Sequence, residues 1–191
     1  VSERALRRWT VEEFFAWQER QDERYELVEG VPLRMMTGAR AVHNDIVINV
    51  LAGLHRQLRG KDCRPFNADG SVQTGIGNIR RPDAGVECGT YDPNGLKAVL
   101  PRLVVEILSP STQRIDLFVK LLEYQRLASL FYVLYIDPDE PSVAFWSREA
   151  EGEWQQQSAS ALDDVIEMPA IGISLAMSDI YERVIFAHRP V

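Results

Sequence analysis

Midway along the chain, Leu103-Val104-Val105-Glu106-Ile107-Leu108 forms a strand-like apolar run broken by one carboxylate. A half-exposed strand would alternate apolar and polar residues, so this continuous run predicts a central strand covered on both faces. That requirement demands a layer above and a layer below. An ionised carboxylate in such a strand costs several kcal/mol to desolvate, on the order of any unpaired buried charge, unless something compensates it. Two readings stay open. Glu106 is either held by a buried arginine or reaches water at the strand end, or it is a metal ligand or catalytic carboxylate.

The surrounding chain supplies the layers. Thr10 and Glu13 form a T-x-x-E capping box ahead of Phe14, Phe15 and Trp17, which predicts a short helix over about residues 11–20. Two strands follow around a turn at Glu29-Gly30. From position 42 to 58, Val42, Ile46, Val47, Val50, Leu51, Leu54 and Leu58 recur at helical spacing. Glycines and Pro82 then divide residues 60–91 into short strands. After the Glu106 run, Ser109-Pro110-Ser111-Thr112 offers N-caps for a helix over about residues 113–127, and Phe131-Tyr132-Val133-Leu134-Tyr135-Ile136 is the next strand. It pairs with Ser142-Val143-Ala144-Phe145-Trp146, and the tail holds shorter strands and a last helical turn near residues 178–182. A length of 191 residues suits one domain spanning 1–191. The aromatic and apolar material in residues 131–146 and around Trp154 exceeds what a hairpin needs, which suggests an additional interface.

Charge narrows the function. The net charge of −7 argues against a broad, nonspecific phosphate-binding surface. Among the 21 basic residues only Lys61, Lys97 and Lys120 are lysines, so each lysine is worth placing. No stretch approaches the roughly 20 apolar residues of a membrane helix, and the basic start has no apolar region behind it to form a secretory signal. The chain begins without a methionine, so residues are expected to precede it. Cys63 and Cys88 are too few for a disulfide framework, which suits a reducing cytoplasm. Gly75-Ile76-Gly77-Asn78-Ile79-Arg80 lacks the third glycine of a dinucleotide fingerprint. There is no phosphate loop and no G-x-S-x-G elbow, and Cys63, Cys88, His43 and His55 lack paired zinc-ligand spacing.

Asp83, in Arg81-Pro82-Asp83, stands 23 positions before Glu106 at the mouth of another expected strand. Adjacent strands would bring the two carboxylates together, and a divalent cation would relieve their repulsion. Taken alone, Asp83 reads first as a turn residue, since Pro-Asp is common turn chemistry. Asp116, Lys120 and Tyr124 lie at helical spacing of four in the next helix, where an exposed Asp116–Lys120 pair is the simple alternative.

At Pro82-Asp83, Glu106 and Lys120 the chain resembles bacterial endonucleases of the Uma-two type, within the restriction-endonuclease-like PD-(D/E)XK superfamily. The likeness extends to Tyr25-Glu26-Leu27-Val28-Glu29-Gly30, to His43, to residues 104–112, and to Asp137-Pro138. It implies an α/β fold, with a mixed central sheet flanked by helices, and hydrolysis of phosphodiester bonds, in DNA above all. It also implies a Mg²⁺ or Mn²⁺ ion on Asp83, Glu106 and a backbone carbonyl near Ile107. The superfamily's lysine usually lies two residues after the acidic one, where this chain has Leu108; the resemblance implies that Lys120 replaces it from the helix. Glu26 and His43 match the family's early motif, as candidates for orienting the site or moving a proton, although a histidine at a helix start is more commonly a cap. A glutamate common ahead of the following strand is replaced here by Phe131-Tyr132. A homodimer suits an enzyme that must meet two strands. The competing expectation is a nuclease-like fold that binds nucleic acid, or regulates, without cutting. A small-molecule metal hydrolase and a purely structural protein are weaker readings.

Overall fold

The computed structural model describes residues 7–35, 40–109, 114–149 and 152–186. Its elements, in order, are α1 (Val11–Gln18), β1 (Tyr25–Val28), β2 (Val31–Arg34), α2 (Ala41–Leu58), β3 (Cys63–Asn67), β4 (Val72–Gly75), β5 (Asn78–Arg80), β6 (Ala84–Cys88), β7 (Leu100–Ile107), α3 (Arg114–Gln125), β8 (Tyr132–Asp137), β9 (Ser142–Ser147), β10 (Gln155–Ala159), β11 (Val165–Met168), β12 (Ile173–Ala176) and α4 (Met177–Ile180). The expected elements are all present. The capping box of α1 forms as read, with Thr10 accepting from the Glu13 N–H and Glu13 reaching back to the Thr10 N–H, but the helix stops at Gln18. The proposed caps at residues 110–112 lie outside the described residues.

A six-stranded sheet in the order β10-β9-β8-β7-β6-β3 is the centre of the fold. Its one parallel pair, β7 with β8, is joined through α3; the other neighbours are antiparallel. Strand alternation divides its side chains between two layers. Leu103, Val105, Ile107, Leu134 and Ile136 pack with Ile46, Val50 and Leu54 of α2 and with residues of β11, β12 and α4. Val104, Val133 and Tyr135 pack with Leu121 and Tyr124 of α3. The residues from Leu103 to Ile107 are buried, as a strand covered on both sides requires.

A second sheet, β2-β1-β5-β4, carries α1 through Phe14, Leu27 and Ile79. Its first hairpin turns at Glu29 (φ 48°) and Gly30 (φ 77°), the paired positive angles of a tight two-residue turn. A Cβ at Gly30 would also meet the Arg8 backbone at 3.1 Å, so the glycine serves both shape and space.

One expectation is corrected by the packing. Cys63 and Cys88 face each other across β3 and β6, with Cα atoms 4.0 Å apart, and form a disulfide. A count of two cysteines could not reveal this, because the pairing follows from the antiparallel register. Part of the aromatic material in residues 131–154 has partners within the chain: Trp146 packs edge-on against Tyr135, Trp154 donates to the Gln125 carbonyl at 3.0 Å, and Arg148 lies over the Trp154 ring, while both tryptophans stay only partly buried. Among the described residues, no helix is long and apolar enough to cross a membrane.

Candidate active site

Glu106 is the penultimate residue of β7, and alternation turns it away from α2 and toward α3. There the Tyr124 hydroxyl donates to its Oε1 at 2.7 Å, and Lys120 Nζ lies 3.5 Å from the same oxygen. Lys120 and Tyr124 are one helical turn apart, so a single face of α3 supplies both contacts. Burial pushes the Glu106 carboxyl up to about 7; the Lys120 charge and the Tyr124 hydroxyl oppose this, while the charges of Asp83 and Glu26 add to it. The Tyr124 phenol is itself raised well above its ordinary value by burial and by the Glu106 charge.

Asp83 comes just before β6 and reaches the end of β7, where its Oδ2 accepts the Ile107 N–H at 2.7 Å. Its Oδ1 lies 3.4 Å from Nε2 of His43, in the first turn of α2. Glu26, from β1, approaches from the second sheet: its Oε1 is 3.3 Å from Lys120 Nζ and accepts the Arg81 N–H at 3.0 Å. The five side chains singled out in the sequence therefore form two neighbouring groups at the end of β7, Lys120 between Glu26 and Glu106, and Asp83 between His43 and the Ile107 backbone. The Asp116 side chain lies outside the described residues.

Three polar residues of the site were not singled out. Arg80, at 2% exposure, directs Nε and NH2 to the two oxygens of Glu123 at 2.8 and 2.7 Å, and NH1 to Glu26 Oε2 at 3.0 Å. Thr74 donates to Glu123 Oε2 at 2.7 Å. Burial would raise the Glu123 carboxyl, but hydrogen bonds from Arg80 and Thr74 and the nearby positive charges hold it below its ordinary value. A buried arginine does exist, then, but it pairs with Glu26 and Glu123; the contacts of Glu106 are with Lys120 and Tyr124. The available signal was weak: Glu123 falls one turn after Lys120, and Arg80 lies three residues before Asp83.

Three comparisons with known proteins bear on this arrangement. A family model described as "Uma2: Putative restriction endonuclease" matches residues 11–178. The chain belongs to the Uma2 family. An uncharacterized protein of Synechocystis sp. is 30% identical over 177 residues, covering 92% of each chain. The fold is also that of a crystal structure described as a putative nuclease belonging to DUF820, from Anabaena variabilis, with a TM-score of 0.75 at 18% identity, covering 92% of this chain and 99% of that one.

Against that Uma2 background, Tyr132 can be placed. It pairs with Leu103, packs in the α2 layer and accepts the Ala170 N–H at 3.0 Å, so it lies on the sheet face opposite to Glu106. The donors around Asp83 and Glu106 suit a hard divalent cation, since carboxylate and backbone oxygens are what Mg²⁺ and Mn²⁺ take. Burial is the main cause of the raised Glu106 carboxyl, and the smaller part that the Asp83 and Glu26 charges add is what a cation would relieve. Among the described residues no cluster of three or more His, Cys, Asp or Glu is arranged as a metal site. A cation here would thus rest on two carboxylates, completed by backbone oxygen and water.

Proposed function

We propose that this Uma2-family chain is a metal-dependent endonuclease that hydrolyses phosphodiester bonds, with DNA as the substrate, and that residues 1–191 act as one nuclease domain. The observation that carries the reading is the convergence of Asp83, Glu106 and Lys120 from three different elements around a carboxylate too buried to be ionised without help. Asp83, Glu106 and the Ile107 carbonyl would hold Mg²⁺ or Mn²⁺. Bound there, the ion would polarise a phosphoryl oxygen and make its bound water a better nucleophile.

The chain's own groups have separable tasks. Lys120 brings a point charge to the developing negative charge, or orients the attacking water. Tyr124 fixes Glu106 through Oε1, and His43 with the Ile107 N–H fixes Asp83. Glu26 holds Lys120 from the other side. A homodimer would place one such site on each strand of a duplex.

The test is cleavage of single-stranded, double-stranded and branched DNA with Mg²⁺ or Mn²⁺. Asp83→Ala, Glu106→Ala and Lys120→Ala should each reduce it by about 10²-fold or more. Unchanged cleavage in all three would end the assignment. The second reading, nucleic-acid binding without cutting, draws support from the displaced lysine, which comes from α3 where Leu108 occupies the superfamily position. Steeply salt-dependent DNA binding with no cleavage under any divalent metal would favour it.

A further inference from the structure

A lysine side chain is hard to hold in one place. Its four-carbon stem is flexible, and its ammonium has three rotatable donors and no preferred plane. Lys120 is nevertheless held at 12% side-chain exposure between Glu26 and Glu106. Glu26 can restrain it because that carboxylate is itself pinned at both oxygens, Oε1 by the Arg81 N–H and Oε2 by Arg80 NH1. Arg80 is pinned in turn by its bidentate fork to Glu123, a planar match of two parallel hydrogen bonds. Glu123 is one turn beyond Lys120 on α3, and Thr74 of β4 fixes its Oε2. The contacts form a closed ring that leaves α3 at Glu123, crosses β5 and β1, and returns to α3 at Lys120.

We infer that Arg80 is a positioning residue for Lys120, acting through Glu26, and that Glu123 and Thr74 hold it in that task. The ring fixes the lysine relative to Glu106 by tying it to the second sheet. Its kinetic consequence rests on the nuclease reading; its structural one does not.

With three lysines in the chain, lysine-selective ¹³C labelling gives a spectrum in which Lys120 is assigned by Lys120→Arg and Lys61, bonded to the Gly172 carbonyl, is an internal control. In Glu123→Gln, the Lys120 Cε–Hε signal should shift and its side-chain order should fall, with Lys61 unchanged. Thr74→Val, a milder change, should move Lys120 the same way by less, and it decides the question if Glu123→Gln does not fold. In cleavage, Glu123→Gln should lower kcat about tenfold to a hundredfold. KM should stay within about twofold, and Mn²⁺ affinity by calorimetry should be unaltered. Added to Lys120→Ala, it should cost nothing further, because two residues acting through one group do not add. A Lys120 signal unmoved in the folded variants, or a loss fully additive with Lys120→Ala, would overturn the inference. If the wild-type chain cleaves nothing, the nuclease reading fails, while the Thr74→Val spectrum, which removes a hydrogen bond and no charge, still decides whether the ring holds Lys120.

Discussion

On one face of the central sheet Leu103, Val105 and Ile107 meet Ile46, Val50 and Leu54 of α2; on the other, the same strand presents Glu106 to Lys120 and Tyr124 of α3. Moving one residue along β7 changes the surroundings from apolar packing to a buried carboxylate pushed up to about 7. The first arrangement is what stabilises a fold, since buried apolar area is the dominant favourable contribution. The second works against stability, because the ionised form of Glu106 costs more in the folded protein than in water. A sheet face that retains such a group is a candidate for chemistry, and the contrast gives each face its own mutational signature.

The largest expected effect separates the two signatures. Glu106→Gln should reduce cleavage by about 10³-fold, the scale of several kcal/mol of lost transition-state stabilisation, while leaving the melting temperature unchanged or raised. Lys120 keeps Glu26 as its partner in that variant, and the neutral amide removes the cost of burying a charge. Paired activity and melting measurements check this. A variant that unfolds would mean Glu106 is structural and would remove the contrast between faces.

On the α2 face the signs should reverse. Leu54 is fully buried, and Leu54→Ala should cost about 2–5 kcal/mol in denaturant titrations through lost transfer energy and a residual cavity. Cleavage per folded molecule should be nearly that of the parent chain. A loss of activity beyond the unfolded fraction would show that the two faces are coupled through the sheet.

The two faces also differed in how far the sequence announced them. The α2 layer was legible because the apolar residues between Val42 and Leu58 repeat at helical spacing, and the uninterrupted run at Leu103 required a cover on each side. On the α3 face the Asp83, Glu106 and Lys120 set was legible as a pattern, and the lysine stood out through its rarity. The Arg80–Glu123 fork was not, since which carboxylate an arginine selects depends on how two sheets and a helix meet, and no spacing within one element encodes that. The same reason hid the Cys63–Cys88 bond, which depends on the strand register of β3 against β6. The partner of Trp154, the Gln125 carbonyl, was hidden in the same way, since it comes from another element of the fold.

Gly85 supplies the smallest and finest test of the comparison. It sits in β6 opposite Phe66 and Val104, two positions past Asp83, and the Phe66 ring occupies the space its side chain would take. A Cβ there would also come within 2.8 Å of the Leu103 carbonyl, so Gly85→Ala should cost about 1–3 kcal/mol through overpacking. Phe66→Leu in the same chain removes the ring contact but not the carbonyl one, and should restore part of that loss and no more. Because Asp83 is bonded to the Ile107 N–H just beside this spot, a shift of β6 against β7 would lengthen that bond. Gly85→Ala should therefore lower cleavage by more than its folded fraction explains, unlike Leu54→Ala. Equal behaviour of the two variants, measured as activity per folded molecule, would show that the α3 face tolerates displacement as well as the α2 face does.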